Sequence, residues 1–198
     1  MNIGILGGSF DPPHKGHVTI ANRLLKLKHF DQIWLMPCYQ HPFNKKLSSP
    51  KKRLEMTKFL ENTNTKVSDF EIANKSTSYT IETLRSLAKK FPQDKFCWII
   101  GTDQVKDFTK WKEWKKIVDN FKLIVVPRTN FRMAKEELKD ISKLVISPNH
   151  INLIGRERFP PIYISSTLAR KKIAEKKSIS NMIPKKIKNY IIQSNLYK

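Results

Sequence analysis

Short apolar, β-branched runs alternate with stretches of helical periodicity along the whole chain. Asn2 to Leu6 reads as a buried strand, and Val18 to Leu27 as an amphipathic helix with apolar residues three and four apart. Gln32 to Met36 predicts the next strand, halted by Pro37, and residues 38–50 predict a long polar loop. Pro50 stands at a helix start, with Leu54, Met56 and Leu60 on the helix that follows. Lys66 to Phe70 then reads as a strand, Ser78 to Lys90 as a helix and Lys95 to Ile100 as a strand. Trp111 to Val118 is helical in pattern, and Lys122 to Val126 is strand-like. Residues 127–160 carry the weakest signal, with a helix expected over Met133 to Leu144. Ile162 to Ile164 predicts a last short strand, followed by helices over Ser165 to Glu175 and Pro184 to Gln193. Strand and helix alternating at this spacing predict an α/β fold: a doubly wound parallel sheet, helices on both faces, and C-terminal helices appended. With no repeat, linker or low-complexity tract in view, residues 1–198 are expected to form a single domain.

Composition narrows the picture. The 198 residues are 39% hydrophobic and 10% aromatic, enough for a packed core and unlike a disordered or collagenous chain. No apolar run approaches the roughly 20 residues a membrane-spanning helix needs. The chain opens on a strand-like M-N-I-G-I-L-G without the basic stretch and cleavage site of a secretory signal, and Cys38 and Cys97 cannot make a disulfide framework. A cytoplasmic protein is expected.

Charge adds a partner class. There are 38 Lys and Arg against 17 Asp and Glu, a formal net charge of +21. Lys dominates, and the cations are scattered in pairs such as Lys45-Lys46 and Lys171-Lys172. Readers of base edges lean on Arg, whose planar fork bonds two acceptors at once. The surface therefore predicts attraction for anionic ligands, with nucleic-acid binding as the disfavoured rival.

The first strand–helix junction reads Gly7-Gly8-Ser9-Phe10-Asp11-Pro12-Pro13-His14-Lys15-Gly16-His17. Two glycines after a strand allow close approach of backbone to a ligand, and the free N–H groups of a helix start suit phosphate. His14 and His17, three apart, are expected to share one helix face, with Gly16 leaving room for a polyphosphate. A second run, Ile164-Ser165-Ser166-Thr167-Leu168-Ala169-Arg170, follows the last predicted strand. There Ser165 can cap a helix, Ser166 and Thr167 add hydroxyls, and Arg170 lies one turn on.

Together, in this order and position, the two runs resemble the G-x-F-D-P-x-H-x-G-H and I-S-S-T-x-x-R motifs of the nucleotidylyltransferase superfamily. Three further segments are similar to the nicotinate (nicotinamide) mononucleotide adenylyltransferases of bacterial NAD synthesis: Ser78-Tyr79-Thr80-Ile81-Glu82-Thr83-Leu84, Ile100-Gly101-Thr102-Asp103 and Trp111-Lys112-Glu113-Trp114. The resemblance implies a Rossmann-like fold and transfer of the adenylyl group of ATP to nicotinate or nicotinamide mononucleotide, with Mg²⁺ carried on ATP and no protein metal ligand. It implies catalytic roles for His14, His17 and Arg170. ATP would be held by Gly8, Ser9, Phe10, His14, His17, Ser165, Ser166, Thr167 and Arg170. The mononucleotide would be held by Lys45, Lys46, Tyr79, Thr80, Gly101, Asp103 and Trp111, with Tyr79-Thr80 at the pyridine substituent and Trp111 stacked on the ring. A sister enzyme acting on another phosphorylated acceptor, such as pantetheine phosphate, is the alternative, though those chains lack the S-Y-T and W-x-x-W features. One departure stands out. Where the family has P-P-H-K or P-P-H-R, this loop reads Gln40-His41-Pro42-Phe43-Asn44-Lys45-Lys46, leaving Lys45 or Lys46 for the phosphate and His41 in place of the usual His. The sequence leaves acid-or-amide preference and self-association open.

Overall fold

The computed structural model describes residues 1–43 and 45–126, the strand backbone of 151–153, and residues 162–198. Six parallel strands form one sheet in the order β3-β2-β1-β4-β5-β6: β1 Asn2–Gly8, β2 Gln32–Pro37, β3 Thr65–Val67, β4 Lys95–Gly101, β5 Lys122–Val126 and β6 Ile151–Leu153. This is the doubly wound, Rossmann-like arrangement expected from the alternation of strand and helix. Its helices are α1 Lys15–Lys26, α2 Pro50–Lys58, α3 Phe70–Ala73, α4 Thr80–Lys90, α5 Thr102–Val105, α6 Trp114–Asn120, α7 Ser166–Ala174 and α8 Lys185–Gln193.

Beyond their polar first residues, β1, β2, β4 and β5 are apolar because both sheet faces are covered. In β1, Leu6 points to one core with Ile20 and Leu24 of α1, while Ile3 and Ile5 point to the other. β4 alternates in the same way: Cys97 and Ile99 join the first core, Phe96, Trp98 and Ile100 the second. The first core also gathers Met56 of α2, Ala169 of α7, and Ile187 and Ile191 of α8. The second takes Ile81, Leu84 and Leu87 of α4 with Ile117 of α6. Gly7 is fixed by packing, since a Cβ there would stand 2.2 Å from the Trp98 ring.

Several boundaries move. α1 begins at Lys15, three residues before the first apolar position of its pattern, because the segment's cap lies in the polar His14. The strand expected over Lys66–Phe70 is Thr65–Val67, and Phe70 instead opens α3 after Asp69. Ile162–Ile164 belongs to no strand. The sheet edge beside β5 is taken by Ile151–Leu153, and the alternation that suggested a strand only buries Ile162 while Tyr163 stays exposed. The helix expected over Met133–Leu144 lies outside the described residues.

Candidate active site

The strand order reverses direction at β1: β2 pairs on one side and β4 on the other, so their carboxyl ends lie side by side. Open α/β sheets bind ligands at such a switch point. Three candidate segments are delivered to this edge. The first motif leaves β1, the loop of residues 38–49 leaves β2, and Gly101 to Trp111 leaves β4.

The first motif turns sharply at Phe10, a buried phenylalanine in the left-handed region at φ 50°. Such a conformation costs about 1–3 kcal/mol in a residue with a side chain. The turn brings the Phe10 ring to 4.5 Å from that of His17. His14 then caps α1. Its carbonyl accepts the His17 backbone N–H at 3.0 Å, and its own N–H donates to His17 Nδ1 at 3.1 Å. With Nδ1 occupied as an acceptor, the neutral His17 ring carries its proton on Nε2. The two rings stack at 3.8 Å between centroids. They are not equivalent: His14 is 1% exposed, whereas His17 is half-buried.

Gly16 has a different role from the one its place in the motif suggested. A Cβ would meet His14 Nδ1 at 2.8 Å and Ile162 at 3.0 Å, so the room it leaves is filled by protein and lets the His14 ring pack against the helix. Gly8 is undemanding, since a Cβ there would make ordinary contact with Phe10.

The second motif is stapled onto the first. Ser165 caps α7 by accepting from the Leu168 N–H. Ser166 Oγ donates to the Pro12 carbonyl at 2.9 Å, and Arg170 Nη1 donates to the Asp11 carbonyl at 2.6 Å. Thr167 Oγ1 accepts from Arg170 Nη2 at 3.4 Å. Residues more than 150 apart in sequence thereby form one corner with Ser9 and Phe10.

Three residues of this corner have roles that the sequence did not suggest. Arg53, wholly buried, donates to the Ser9 carbonyl at 2.9 Å, the Tyr39 carbonyl at 2.8 Å and the Ser48 carbonyl at 2.9 Å. The signal was present: Arg53, Met56, Thr57 and Leu60 form the buried stripe of α2 and its end, but the cation made that position read as polar surface. Asp11, 2% exposed, accepts from the Ser48 N–H at 3.0 Å and from the Tyr197 hydroxyl. Burial and the bond to Asp11 push the Tyr197 phenol up, so it remains a donor. Nothing in the sequence pairs residue 11 with residue 197.

In the loop after β2, His41 Nδ1 accepts from the Phe43 N–H at 3.1 Å. Burial, with Lys45 and Arg53 nearby, pushes the His41 imidazole down to about 4, so it is neutral at pH 7 and supplies no charge for a phosphate. Lys45 and Lys46 are exposed on the same loop.

On the other side of the switch point, Tyr79 caps α4 through its carbonyl and Thr80 opens the helix. The preceding Ser78 is tied to the β2 loop, its Oγ accepting from the Tyr39 N–H at 3.0 Å. Behind them Thr83 donates to Glu71 at 2.7 Å, and burial pushes the Glu71 carboxyl up. Gly101 ends β4, its N–H donating to Gln104 at 3.1 Å, and Asp103 is exposed on the first turn of α5. Trp111 is not in a helix. It follows a 3-10 turn, Phe108–Lys110, in extended conformation, and α6 begins only at Trp114. Its half-buried ring stands 5.2 Å from that of Phe108. Lys112 lies over the Tyr79 ring at 4.6 Å, which joins the S-Y-T and W-x-x-W segments.

Among the described residues no group of three or more His, Cys, Asp or Glu could hold a metal ion, and no helix is long and apolar enough to cross a membrane.

The cytidylyltransferase-like family model matches residues 5–172. A protein of Flavobacterium johnsoniae named "Probable nicotinate-nucleotide adenylyltransferase" is 35% identical over the whole of both chains. One of the same name from Buchnera aphidicola is 36% identical over 98% of this chain and 95% of its own. Among solved structures, the nicotinic acid mononucleotide adenylyltransferase of Plasmodium falciparum complexed with NaAD superposes with a TM-score of 0.81 at 26% identity, covering 99% of this chain and 97% of that one. With the doubly wound sheet and both motifs joined at its switch point, these relatives establish that the chain belongs to the nicotinate-nucleotide adenylyltransferase family of cytidylyltransferase-like proteins.

Proposed function

We propose that this chain transfers the adenylyl group of MgATP to nicotinate mononucleotide, giving the deamido dinucleotide and pyrophosphate for NAD synthesis. The observation that carries this reading is the corner at the end of β1, where Arg170 and Ser166 bond the Asp11 and Pro12 carbonyls beside the His14–His17 pair. It sets imidazole, hydroxyl and guanidinium donors around backbone that a polyphosphate can approach.

In the reaction, an oxygen of the acceptor's 5′-phosphate forms a bond to the α-phosphorus of ATP. The bond from that phosphorus to the bridging oxygen breaks, and pyrophosphate leaves with the electron pair. The attacking oxygen is already anionic, so the protein's task is positioning and charge stabilisation. His17, with its proton on Nε2, is the donor to the α-phosphate, and His14 stacks behind it and fixes its angle. Ser9, Phe10, Ser165, Ser166, Thr167 and Arg170 embrace the rest of the polyphosphate. Mg²⁺ arrives as part of the substrate, since it retains waters and prefers phosphate oxygens to an all-protein cage.

Lys45 or Lys46 meets the acceptor's phosphate, Tyr79, Thr80, Gly101 and Asp103 line its path, and Trp111 stacks on the pyridine. A cytoplasmic location fits two buried, free cysteines. The test is pyrophosphate release from ATP and Mg²⁺ with nicotinate and nicotinamide mononucleotide as parallel acceptors. Turnover is expected with kcat/KM favouring the acid, and absence of turnover with both would discard the reading.

A further inference from the structure

The far end of the loop bearing Lys45 and Lys46 is fixed to the first motif through Ser48. Ser48 uses both of its backbone polar groups there: the N–H donates to Asp11 Oδ2 at 3.0 Å, and the carbonyl accepts from Arg53 Nε at 2.9 Å. Asp11 is also held from the other side, its Oδ1 accepting from the Tyr197 hydroxyl. Arg53 in turn grips the Ser9 carbonyl of the first motif and the Tyr39 carbonyl at the loop's beginning. Both ends of the loop are therefore referred to the same backbone that carries His14 and His17. The Asp11 carboxylate joins this frame to Tyr197, whose ring packs against the first core.

We propose that Tyr197 is a positioning residue: by holding the Asp11 carboxylate it latches Ser48 and so sets the reach of the Lys45–Lys46 loop toward an anionic substrate. It touches no reacting atom. Without the hydroxyl, the buried Asp11 carboxylate keeps the Ser48 N–H but loses the bond on its other oxygen, and Ser48 loses its side-chain contact with Tyr197, which loosens the loop end while leaving the sheet and the Arg53 clamp in place. The functional half of this inference rests on the adenylyltransferase reading above. The latch itself does not.

Tyr197→Phe removes only the hydroxyl and keeps the ring in its packing. Limited trypsin digestion should cleave after Lys45 or Lys46 about five- to fiftyfold faster than in the wild type. Cleavage at Lys89–Lys90 in α4 serves as the internal reference and should not change. The same variant should bind nicotinate mononucleotide about three- to tenfold more weakly while binding ATP as before. In a Lys45→Ala/Lys46→Ala background the Tyr197→Phe effect on mononucleotide affinity should vanish. An unchanged rate of loop cleavage, a parallel rise at Lys89–Lys90, equal losses for both ligands, or a full effect persisting without the lysines would each overturn the proposal. If the wild type neither binds nor adenylylates a mononucleotide, the adenylyltransferase reading falls, and the cleavage ratio still decides the latch.

Discussion

The two halves of the candidate site are held by different physics. At the end of β1, contacts are buried or half-buried and reach the backbone: Arg53 to three carbonyls, Arg170 to Asp11, Ser166 to Pro12, and Asp11 to Ser48. On the side of Tyr79 and Trp111, buried bonds stop behind the site, at Thr83–Glu71 and at Ser78, and the ties around Tyr79, Lys112 and Glu113 are side-chain ion pairs at the surface. Lys112 pairs with Glu82 while lying over Tyr79, and Arg85 makes a two-pronged pair with Glu113 at 3.1 Å that Lys116 joins at 2.6 Å. Buried bonds to backbone resist salt and fix a single geometry, whereas exposed pairs are screened and yield. The corner at the end of β1 is thus built for one arrangement, and the aromatic side keeps latitude to adjust.

Breaking the rigid half should cost the most. Arg53→Leu leaves three carbonyls without their donor in a closed space and should lower unfolding free energy by about 3–5 kcal/mol, read from urea midpoints. His17→Ala should lower kcat by roughly 10²-fold or more while circular dichroism stays native. Near-wild-type turnover would remove His17 from the reaction. Trp111→Ala sharpens the contrast from the other side. Mononucleotide affinity should fall by about 1–3 kcal/mol by calorimetry, with ATP affinity spared, and equal losses would make Trp111 a packing residue only.

Acid should act on the β2 loop next. The His41 imidazole is held near 4 in the fold against its ordinary 6.5, so the unfolded chain binds more protons between those values. Its contribution to stability is intact above pH 6.5 and is lost as pH falls toward 4. A His41→Gln variant should show a shallower decline of the urea midpoint across that window. Smallest of all, Arg85→Gln should change mononucleotide affinity less than Trp111→Ala does and leave thermal stability nearly untouched, because the pair is exposed. A loss as large as that of Trp111→Ala would show the aromatic side to be as rigid as the other.

Much of this molecule could be read along the chain. Strands whose two faces are both covered give unbroken apolar runs, so the bounds of β1, β2, β4 and β5 are legible almost to the residue. What escaped was fixed by neighbours distant in sequence. Trp111 has helical spacing to Trp114 but sits outside the helix, because Glu113, at φ 50°, breaks the turn between them. Gly16 looked like an opening for ligand until His14 and Ile162 were found in the space. Periodicity placed Arg53 on a helix but could not distinguish a solvated cation from one inserted among carbonyls. The roles of Asp11 and Tyr197 depend on a bond spanning 186 positions, which no local pattern encodes.

That long-range stapling has a consequence for biosynthesis. The glycine turn and both histidines are made before the rest of the site, yet the groups that bond Asp11 and Pro12 arrive 154 to 186 positions later. Loop-closure entropy must be overcome before such contacts form. A nascent chain can lay down β1, cover it with α1 and clamp Ser9 with Arg53, but the corner lacks its Asp11 and Pro12 braces until α7 and the segment beyond α8 have been translated and docked. The earliest part of the site to be synthesised is therefore the last to become competent.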